Sequence, residues 1–340
     1  MGGIGNLTVL EAGHPVPDED SFAATERVLA MTGGLTENDT VVFLLSGGGS
    51  ALFELPLIPP EELFRMTGEL LACGADIVEI NTVRKRLSSV KGGRFALHCA
   101  PARVFSVVLS DIIGDPLDMI ASGPACEDKS TCRDALAVAE KYSLTLSEEA
   151  LRCLDTETPK QLTNVTTRIT SSVRELCAAA AEVCRELGYE TRILTDTLSC
   201  EAKDAGAWLS GIAREHEHTE VPLAFIAGGE TVVRLTGSGR GGRNQELALS
   251  AAKGIAGMRG VCVFSVGSDG TDGPTDAAGG YVSGETARIL SGKGIDIDAV
   301  LRENDSYTAL NECGGLIFTG ATGTNVNDVA VLLMKGEKSS

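Results

Sequence analysis

The chain has 340 residues, a formal net charge of −18 and 40 glycines, and its length suits about two domains with separate cores. The strong negative charge argues against a nucleic-acid partner, because neutralising phosphates requires a basic surface. No apolar run approaches the roughly 18 residues that a membrane-spanning helix needs, and the N-terminus lacks the features of a secretory signal. We therefore expect a cytoplasmic protein without nucleic-acid or membrane partners, and its oligomeric state, including a homo-oligomer, is left open.

Only 4% of the residues are aromatic, so aliphatic residues must fill the core. This composition favours an α/β fold with helices packed on a parallel sheet over a β-sandwich. The ten cysteines form no C-x-x-C pair, and we interpret them as buried free thiols of a reducing compartment. With only four histidines, a zinc site is not expected.

Strands and helices alternate along the chain in an order typical of α/β proteins. In the first half, the pattern predicts a strand at 41–45, a helix opened by Pro59 and Pro60, an amphipathic helix over 77–90, a strand at 103–109 and a polar surface excursion at 155–170. In the second half, it predicts helices at 172–187, 201–214 and 244–255, with strands at 189–194, 223–227, 261–266 and 329–334. We place the domain boundary near residue 218, which gives domains 1–218 and 219–340.

A glycine-rich bend, defined as residues 46–50, follows the first predicted strand. Its sequence is Ser46, Gly47, Gly48, Gly49 and Ser50. Bare backbone amides in such a bend can approach an anion closely, and a helix N-terminus there would add partial positive charge. The bend is not a Walker A loop, because no Gly-Lys-Ser/Thr follows. A strand-to-helix turn without a ligand is the alternative.

A basic segment at 81–94 stands out in this acidic protein. On a helix, Asn81, Arg84, Ser88 and Lys91 would share one stripe, which indicates either a solvated face or an anion site. Arg would hold carboxylate or phosphate in a bidentate grip, and Lys would act as a point charge.

Two acidic loops and a second glycine-rich stretch complete the candidate constellation. The loops at 110–115 and 269–276 offer the hard oxygen ligands that Mg²⁺ prefers, although Asx turns alone would also explain them. In the stretch at 237–246, Arg243 lies where a glycine-rich turn enters a helix, a position suited to stabilising charge on a transferring phosphoryl group. The polar loop at 319–328 would line the same cleft or be an ordinary surface loop.

Eight motifs together resemble the glycerate 2-kinase family with its C-terminal MOFRL domain. They are HPVPDE, SGGGSAL, INTVRKRLSSVKGGR, LSDIIGDPLDMIASGP, GRGGRNQELAL, SDGTDGPTDAAG, NDSY and TGTNVNDV, and they extend over nearly the whole chain. The resemblance implies ATP- and Mg²⁺-dependent phosphorylation of D-glycerate to 2-phosphoglycerate. It further implies a Rossmann-like α/β/α N-terminal domain, a MOFRL α/β domain and an active site in the cleft between them.

The resemblance also suggests roles for individual residues. Arg243 matches an arginine thought to be catalytic in the family. The amides of Ser46–Ser50 would bind the nucleotide phosphates, and Asp111 or Asp269 would hold Mg²⁺. Arg84 or Arg86, together with Lys91, would bind the substrate carboxylate.

One departure from the family pattern concerns the N-terminus. Family members carry a longer segment before HPVPDE, with a Gly-Lys-Ala turn whose lysine is the other proposed catalytic residue. No residue of this chain can be assigned that role, so we expect an N-terminally incomplete first domain. Two alternatives stay open: an NAD(P)-dependent hydroxypyruvate reductase, and a catalytically impaired fragment that binds nucleotide or glycerate.

Overall fold

The computed structural model of the protein describes residues 3–4, 6–110, 114 and 116–336. The chain divides into two compact units, Met1–Thr170 and Ser171–Ser340. This division lies earlier than the boundary that we placed near residue 218. The reason is that strand Glu190–Leu198 pairs in parallel with strand Leu223–Gly229, so both belong to the sheet of the second unit.

The first unit is built around a small sheet. Its elements in chain order are β1 (Gly3–Ile4), β2 (Leu7–Thr8), α1 (Glu19–Thr32), β3 (Thr40–Leu45), α2 (Gly49–Leu52), α3 (Pro60–Ala72), α4 (Ile77–Leu87), α5 (Arg94–His98), β4 (Arg103–Leu109), α6 (Cys132–Lys141), α7 (Glu148–Leu154) and β5 (Val165–Ser171). Strands β3, β4 and β5 form one sheet in that order, with β3 parallel to β4. The surface excursion predicted at 155–170 is therefore wrong in its second half, because β5 begins at Val165.

One face of this sheet is packed and the other is open. Phe95 of α5 and Val28 of α1 join Val104 of β4 in one apolar cluster. On the opposite face, Val42 and Leu44 of β3 are 61% and 72% exposed. A second apolar cluster joins helices α3, α4, α6 and α7.

The second unit contains a larger, mixed sheet. Its elements are α8 (Val173–Glu186), β6 (Glu190–Leu198), α9 (Ala202–Glu215), β7 (Leu223–Gly229), α10 (Arg243–Gly254), β8 (Val261–Gly267), β9 (Gly279–Ser283), α11 (Thr286–Gly292), α12 (Ile297–Arg302), α13 (Ser306–Cys313), β10 (Leu316–Ile317) and β11 (Asp328–Met334). The strand order is β10-β9-β8-β11-β7-β6. Strand β11 runs antiparallel to both of its neighbours, β7 and β8.

Helices cover both faces of the sheet of the second unit. Helix α8 packs on one face through residues such as Cys177 and Ala181. Helices α9 and α10 pack on the other face, where Leu209 and Leu247 join Phe225 of β7 in the largest apolar cluster. This α/β/α layering agrees with the predicted fold class.

The sheet register places several strand ends at one edge. Asp328, the first residue of β11, pairs with Gly229 at the end of β7 and with Gly267 at the end of β8. Polar residues that follow β7 and β8 therefore meet those at the start of β11. The candidate site of the second unit lies at this edge.

None of the helices in the described ranges is long and apolar enough to cross a membrane. All ten cysteines are free thiols.

Candidate active site

The glycine-rich bend lies between β3 and the single turn of α2, as the sequence predicted. Gly48 has a φ of 82° and precedes the first residue of α2, a left-handed conformation that glycine adopts without steric cost. The amides of Gly49 and Ser50 donate no hydrogen bond to any described residue. Free amides at a helix start are suited to an anionic ligand, so the bend fits the predicted phosphate contact.

Two cations of the basic segment converge on this bend. Arg84 donates from Nη2 to the carbonyl oxygen of Ser50 at 3.1 Å, and Lys91 donates from Nζ to the same oxygen at 2.9 Å. Lys91 also donates to the carbonyl oxygens of Phe53 and Ala121. The structure therefore brings Arg84 and Lys91 together with the predicted nucleotide loop.

Arg84 and Lys91 differ in how far their side chains are buried, and this difference limits the role of each. The Arg84 side chain is 15% exposed, whereas the Lys91 side chain has no exposed surface and pairs with buried Glu54 at 3.5 Å. Burial lowers the pKa of Lys91 to about 8, and the charge of Glu54 acts in the opposite direction. Arg84 can thus contact a ligand directly. Lys91 instead supports the bend from the protein interior through its hydrogen bond to the carbonyl oxygen of Ser50.

Arg86 lies apart from the bend, in a buried network. Its Nη1 lies 3.5 Å from Asp128 and donates to Ser130 Oγ at 3.0 Å, while its Nη2 donates to the carbonyl oxygen of Ser130 at 2.8 Å. The side chain has no exposed surface. A substrate would have to displace these partners, so this geometry gives the predicted substrate role of Arg86 no support.

The single helical stripe expected for the basic segment is wrong. Helix α4 ends at Leu87, and Ser88 already has extended backbone angles. Arg94 closes the helix end by donating from Nη1 to the carbonyl oxygens of Lys85, Arg86 and Ser88. Lys91 therefore belongs to the turn after the helix and reaches the bend from there.

Arg243 occupies the polar edge of the second unit as the first residue of α10. Its Nε donates to Asp328 Oδ2 at 2.6 Å and its Nη2 to Asp328 Oδ1 at 3.2 Å, while its Nη1 donates to Glu230 at 2.6 Å. The side chain remains 34% exposed. An arginine held by two carboxylates, yet open to solvent, can present a fixed positive group to a ligand at this edge.

The charges around Arg243 shift its pKa and that of Asp328. Burial by itself lowers the pKa of Arg243, but its hydrogen bond to Asp328 and the charges of Asp328 and Glu230 outweigh burial and raise it. Burial raises the pKa of Asp328, and Arg243 offsets part of that rise. Each member of the pair thus shifts the pKa of the other toward its charged form.

Of the two predicted metal ligands, the structure describes only Asp269. Asp111 lies outside the described residues. Asp269 follows β8, and its carboxylate accepts hydrogen bonds from the backbone and side chain of Thr271, as in the Asx-turn alternative. Its Oδ1 and that of Asp328 also flank Gly267, at 3.2 and 3.5 Å from where a Cβ would lie. Mg²⁺ commonly binds one or two carboxylates together with phosphate oxygens. Both oxygens of Asp328 accept hydrogen bonds from Arg243, so Asp269 is the candidate ligand at this edge.

Among the described residues, no group of three or more His, Cys, Asp or Glu side chains is placed to hold a metal ion. A dedicated all-protein metal cage is therefore not found in that part of the chain. The carboxylate of Asp269 would hold Mg²⁺ only together with ligands from a bound phosphate.

The N-terminus of α10 is already occupied, which the sequence did not indicate. Asp272 accepts hydrogen bonds from the backbone amides of Asn244 and Gln245 at 3.1 and 2.9 Å. Burial raises the pKa of Asp272 to about 6, although these backbone hydrogen bonds favour its charged form. A buried carboxylate thus takes the place that a phosphate would need at this helix end.

Several site residues were not assigned roles from the sequence. Asp328 was recognised only as part of the polar loop at 319–328 and Asp272 as part of an acidic loop, and Glu230 was not singled out. The available signal was their position at strand ends, with Glu230 directly after β7, Asp272 after β8 and Asp328 at the start of β11, because strand ends at one edge converge. Pairing of Arg243 with Asp328 joins residues 85 positions apart, which no local pattern reveals.

Comparison with known proteins identifies both parts of the chain. Residues 2–155 match the family model described as Domain of unknown function (DUF4147). Residues 223–328 match the MOFRL family. The two models fall in the first and second structural units, respectively.

Curated relatives cover almost the whole chain. A D-glycerate 2-kinase from Thermotoga maritima is 52% identical over 339 residues, which covers 98% of this chain and 81% of the relative. A glycerate 2-kinase from Pyrococcus horikoshii is 43% identical and covers 98% of this chain and 79% of its own length. A relative from Agrobacterium vitis with the provisional name hydroxypyruvate reductase is 39% identical and covers 97% of this chain and 78% of its own length.

A solved structure agrees with these relatives. The crystal structure of a glycerate kinase from Thermotoga maritima matches with a TM-score of 0.95 at 52% identity, covering 98% of this chain and 82% of that one. The similarity in sequence and fold covers both units. The chain belongs to the glycerate 2-kinase family.

Proposed function

We propose that this protein transfers the γ-phosphoryl group of ATP to the 2-hydroxyl of D-glycerate, with Mg²⁺, and releases 2-phosphoglycerate. The names of the Thermotoga and Pyrococcus relatives support glycerate phosphorylation. The observation that carries the proposal is Arg243, a partly exposed guanidinium oriented by Asp328 and Glu230. Phosphoryl transfer depends on positioning and charge stabilisation more than on covalent chemistry. An oriented, partly exposed guanidinium such as that of Arg243 would serve both purposes.

Arg243 acts on the phosphoryl group in this proposal. Its bidentate bond to Asp328 and its bond to Glu230 fix the plane of the guanidinium. A fixed cation loses little entropy when charge develops on the transferring oxygens, so it stabilises the transition state more than the ground state. Asp328 and Glu230 therefore orient the arginine.

The glycine-rich bend would hold phosphate oxygens through the amides of Gly49 and Ser50. Arg84, next to the carbonyl oxygen of Ser50, would bind the glycerate carboxylate. Its partial exposure supports this role over the fully buried Arg86. Asp269 would hold Mg²⁺, which supplies charge neutralisation and orientation to the phosphates when bound.

The test is a pair of assays on the purified protein. One measures ADP release with ATP, MgCl₂ and D-glycerate, and identifies the product by ³¹P NMR against 2- and 3-phosphoglycerate standards. L-Glycerate and an excess of EDTA serve as negative controls, and both should abolish turnover. Absence of ADP release with D-glycerate, or formation of 3-phosphoglycerate, would contradict the proposal.

The rival activity is NAD(P)H-dependent reduction of hydroxypyruvate, favoured by the provisional name of the Agrobacterium relative. The glycine-rich bend lacks the G-x-G-x-x-G spacing of a dinucleotide fingerprint. Oxidation of NADH with hydroxypyruvate, without ADP release from ATP and glycerate, would establish the reductase. Binding of ATP by calorimetry without either turnover would establish the impaired binding protein.

The proposed compartment is the cytoplasm. Ten free cysteines, including buried Cys99, Cys177 and Cys184, support a reducing environment.

A further inference from the structure

The NDSY motif, residues 304–307, lies against the second glycine-rich stretch, and the proposed function does not yet use it. Asn304 precedes α13 and is 6% exposed. Its Oδ1 accepts hydrogen bonds from the backbone amides of Thr236 and Gly237 at 2.7 and 3.0 Å. Its Nδ2 donates to the carbonyl oxygen of Arg234 and to Glu246 Oε2, both at 3.2 Å. The buried amide is thus fully engaged at both ends.

The glycine-rich turn, defined as residues 237–242, is packed rather than open. The amide of Gly239 donates to the carbonyl oxygen of Glu303 at 2.8 Å, and the amide of Arg240 donates to Asp305 Oδ1 at 3.0 Å. A Cβ on Gly239 would lie 2.5 Å from both Glu303 O and Asp305 Cβ. Glycine is therefore needed here for close contact with residues 303–305, and not for approach to a phosphate.

Arg240 of the turn also contacts the NDSY motif, through Tyr307. The amide of Tyr307 donates to the carbonyl oxygen of Arg240 at 2.9 Å. The Arg240 guanidinium stacks 4.0 Å from the centre of the Tyr307 ring. The turn is therefore anchored along its length to the NDSY motif.

Asn304 is the residue that joins this turn to α10. Through Glu246 it contacts the helix that begins at Arg243, and through Thr236 and Gly237 it contacts the chain entering the turn. Its φ of 55° lies in the left-handed region, which asparagine tolerates better than most residues. One side chain thus fixes both the entry to the turn and the helix that follows it.

We propose that Asn304 is a positioning residue that clamps the glycine-rich turn to α10 and thereby holds Arg243 in its reactive orientation. The proposal rests on the proposed function for its kinetic consequence. Its structural part stands on the contacts alone. Removing the clamp should release the turn and let Arg243 sample unproductive orientations, which lowers kcat with little change in KM.

The experiment compares wild type with Asn304→Gly, which removes the amide while accommodating the positive φ. Hydrogen exchange at the amides of Thr236 and Gly237 should accelerate about tenfold or more, because each loses its buried acceptor. The kcat should fall about tenfold or more, with both KM values within about threefold of wild type. In an Arg243→Ala background, Asn304→Gly should change the residual rate by less than about twofold, since the residue acts through Arg243.

A second pair of variants covers the case in which Asn304→Gly does not fold. Asn304→Asp keeps the acceptor for Thr236 and Gly237 but sets a carboxylate against Glu246, so kcat should fall. Adding Glu246→Gln supplies a donor to that carboxylate, and the double variant should regain a substantial part of the lost kcat. Glu246→Gln alone, which can still accept from Asn304, is the matched control and should stay near wild type.

The outcomes separate the clamp from the proposed function. Faster exchange with unchanged kcat in Asn304→Gly would overturn the positioning role. If Asn304→Gly lowered the rate by the same factor in the Arg243→Ala background as in wild type, its effect would not act through Arg243, and the positioning role would also be wrong. Unchanged exchange at Thr236 and Gly237 would refute the clamp itself. A wild type without glycerate phosphorylation would refute the proposed function, while the exchange measurement would still decide the clamp.

Discussion

Lys91 donates a hydrogen bond from its buried Nζ to the carbonyl oxygen of Ser50 at 2.9 Å. The same ammonium group contacts Phe53 O and Ala121 O, so one cation joins α2 to the turn at Ile120–Ser122. A buried ammonium group that bonds to the backbone carbonyl oxygens of a loop holds the loop in place. The backbone amides of the loop stay available to a ligand. This relationship is the basis of the first prediction.

Replacing Lys91 with methionine should destabilise the protein by about 3 kcal/mol, because buried Glu54 then loses its nearer cation and keeps only Arg84, at 3.9 Å. Nucleotide binding should also weaken, so KM for ATP should rise more than kcat falls. Urea unfolding and steady-state kinetics measure the two effects. Adding Glu54→Leu should recover much of the stability, since the buried carboxylate that lost its nearer cation is gone. A rise in KM for glycerate alone would indicate that Lys91 contacts the substrate instead.

Replacing Arg243 with alanine should lower kcat about 10³-fold at saturating ATP, because a well-placed arginine contributes most to the phosphoryl-transfer transition state. Coupled assay of ADP release at high enzyme concentration measures the residual rate. Arg288→Ala, which removes an exposed arginine paired with Glu285, is the matched control and should keep full activity. Retention of most turnover by Arg243→Ala would remove Arg243 from the mechanism.

Substitution of Arg84 should mainly change KM for glycerate, whereas substitution of Arg86 should mainly change the free energy of unfolding. Arg84→Ala should raise KM for glycerate about tenfold to a hundredfold, the value of a charge-assisted hydrogen bond. Arg86→Met should instead lower the free energy of unfolding by about 3 kcal/mol, because Asp128 loses a buried partner. Urea unfolding with parallel kinetics separates the two, and exposed Arg152→Ala should alter neither. If Arg86→Met folds normally and raises KM for glycerate, the assignments are reversed.

Asp272 should make stability depend on pH in a mildly acidic range. Its pKa is about 6 in the folded protein against an ordinary 3.8, so the folded state binds the proton more tightly. The contribution of this group to the free energy of unfolding therefore falls as the pH rises from about 4 to about 6. About two pKa units set an upper limit of about 3 kcal/mol for that fall.

Urea unfolding of wild type and Asp272→Asn at pH 4, 5, 6 and 7 tests this dependence. The stability difference between wild type and variant should shift against wild type as the pH rises. Asp298→Asn, which alters an exposed carboxylate paired with Lys253, should follow wild type throughout. Parallel curves for wild type and Asp272→Asn would show that Asp272 does not titrate in this range.

The sequence predicted the framework well where local patterns suffice. The strand before the glycine-rich bend, the strand Arg103–Leu109 and the helix that begins at Arg243 follow from apolar runs, glycines and periodicity. The position of Arg243 at a helix start was correctly inferred from its glycine-rich approach.

Burial of the basic segment could not be predicted, because its partners lie far along the chain. Arg86 meets Asp128 42 positions away, and the local pattern is that of a solvated charged helix. The role of the second glycine-rich stretch was likewise hidden. Glycines that permit phosphate approach and glycines that permit contact with residues 303–305 look the same in a sequence, and only the packing distinguishes them.

The placement of β11 has a consequence for biosynthesis. Strand β11 lies between β7 and β8 and bonds to both, so the part of the sheet that contains β7 cannot join the part that contains β8 until β11 has left the ribosome. Its first residue, Asp328, also orients Arg243. Nascent chains stalled before residue 328 should therefore expose the flanks of β7 and β8, and the contact between Arg243 and Asp328 should form only after β11 has been synthesised.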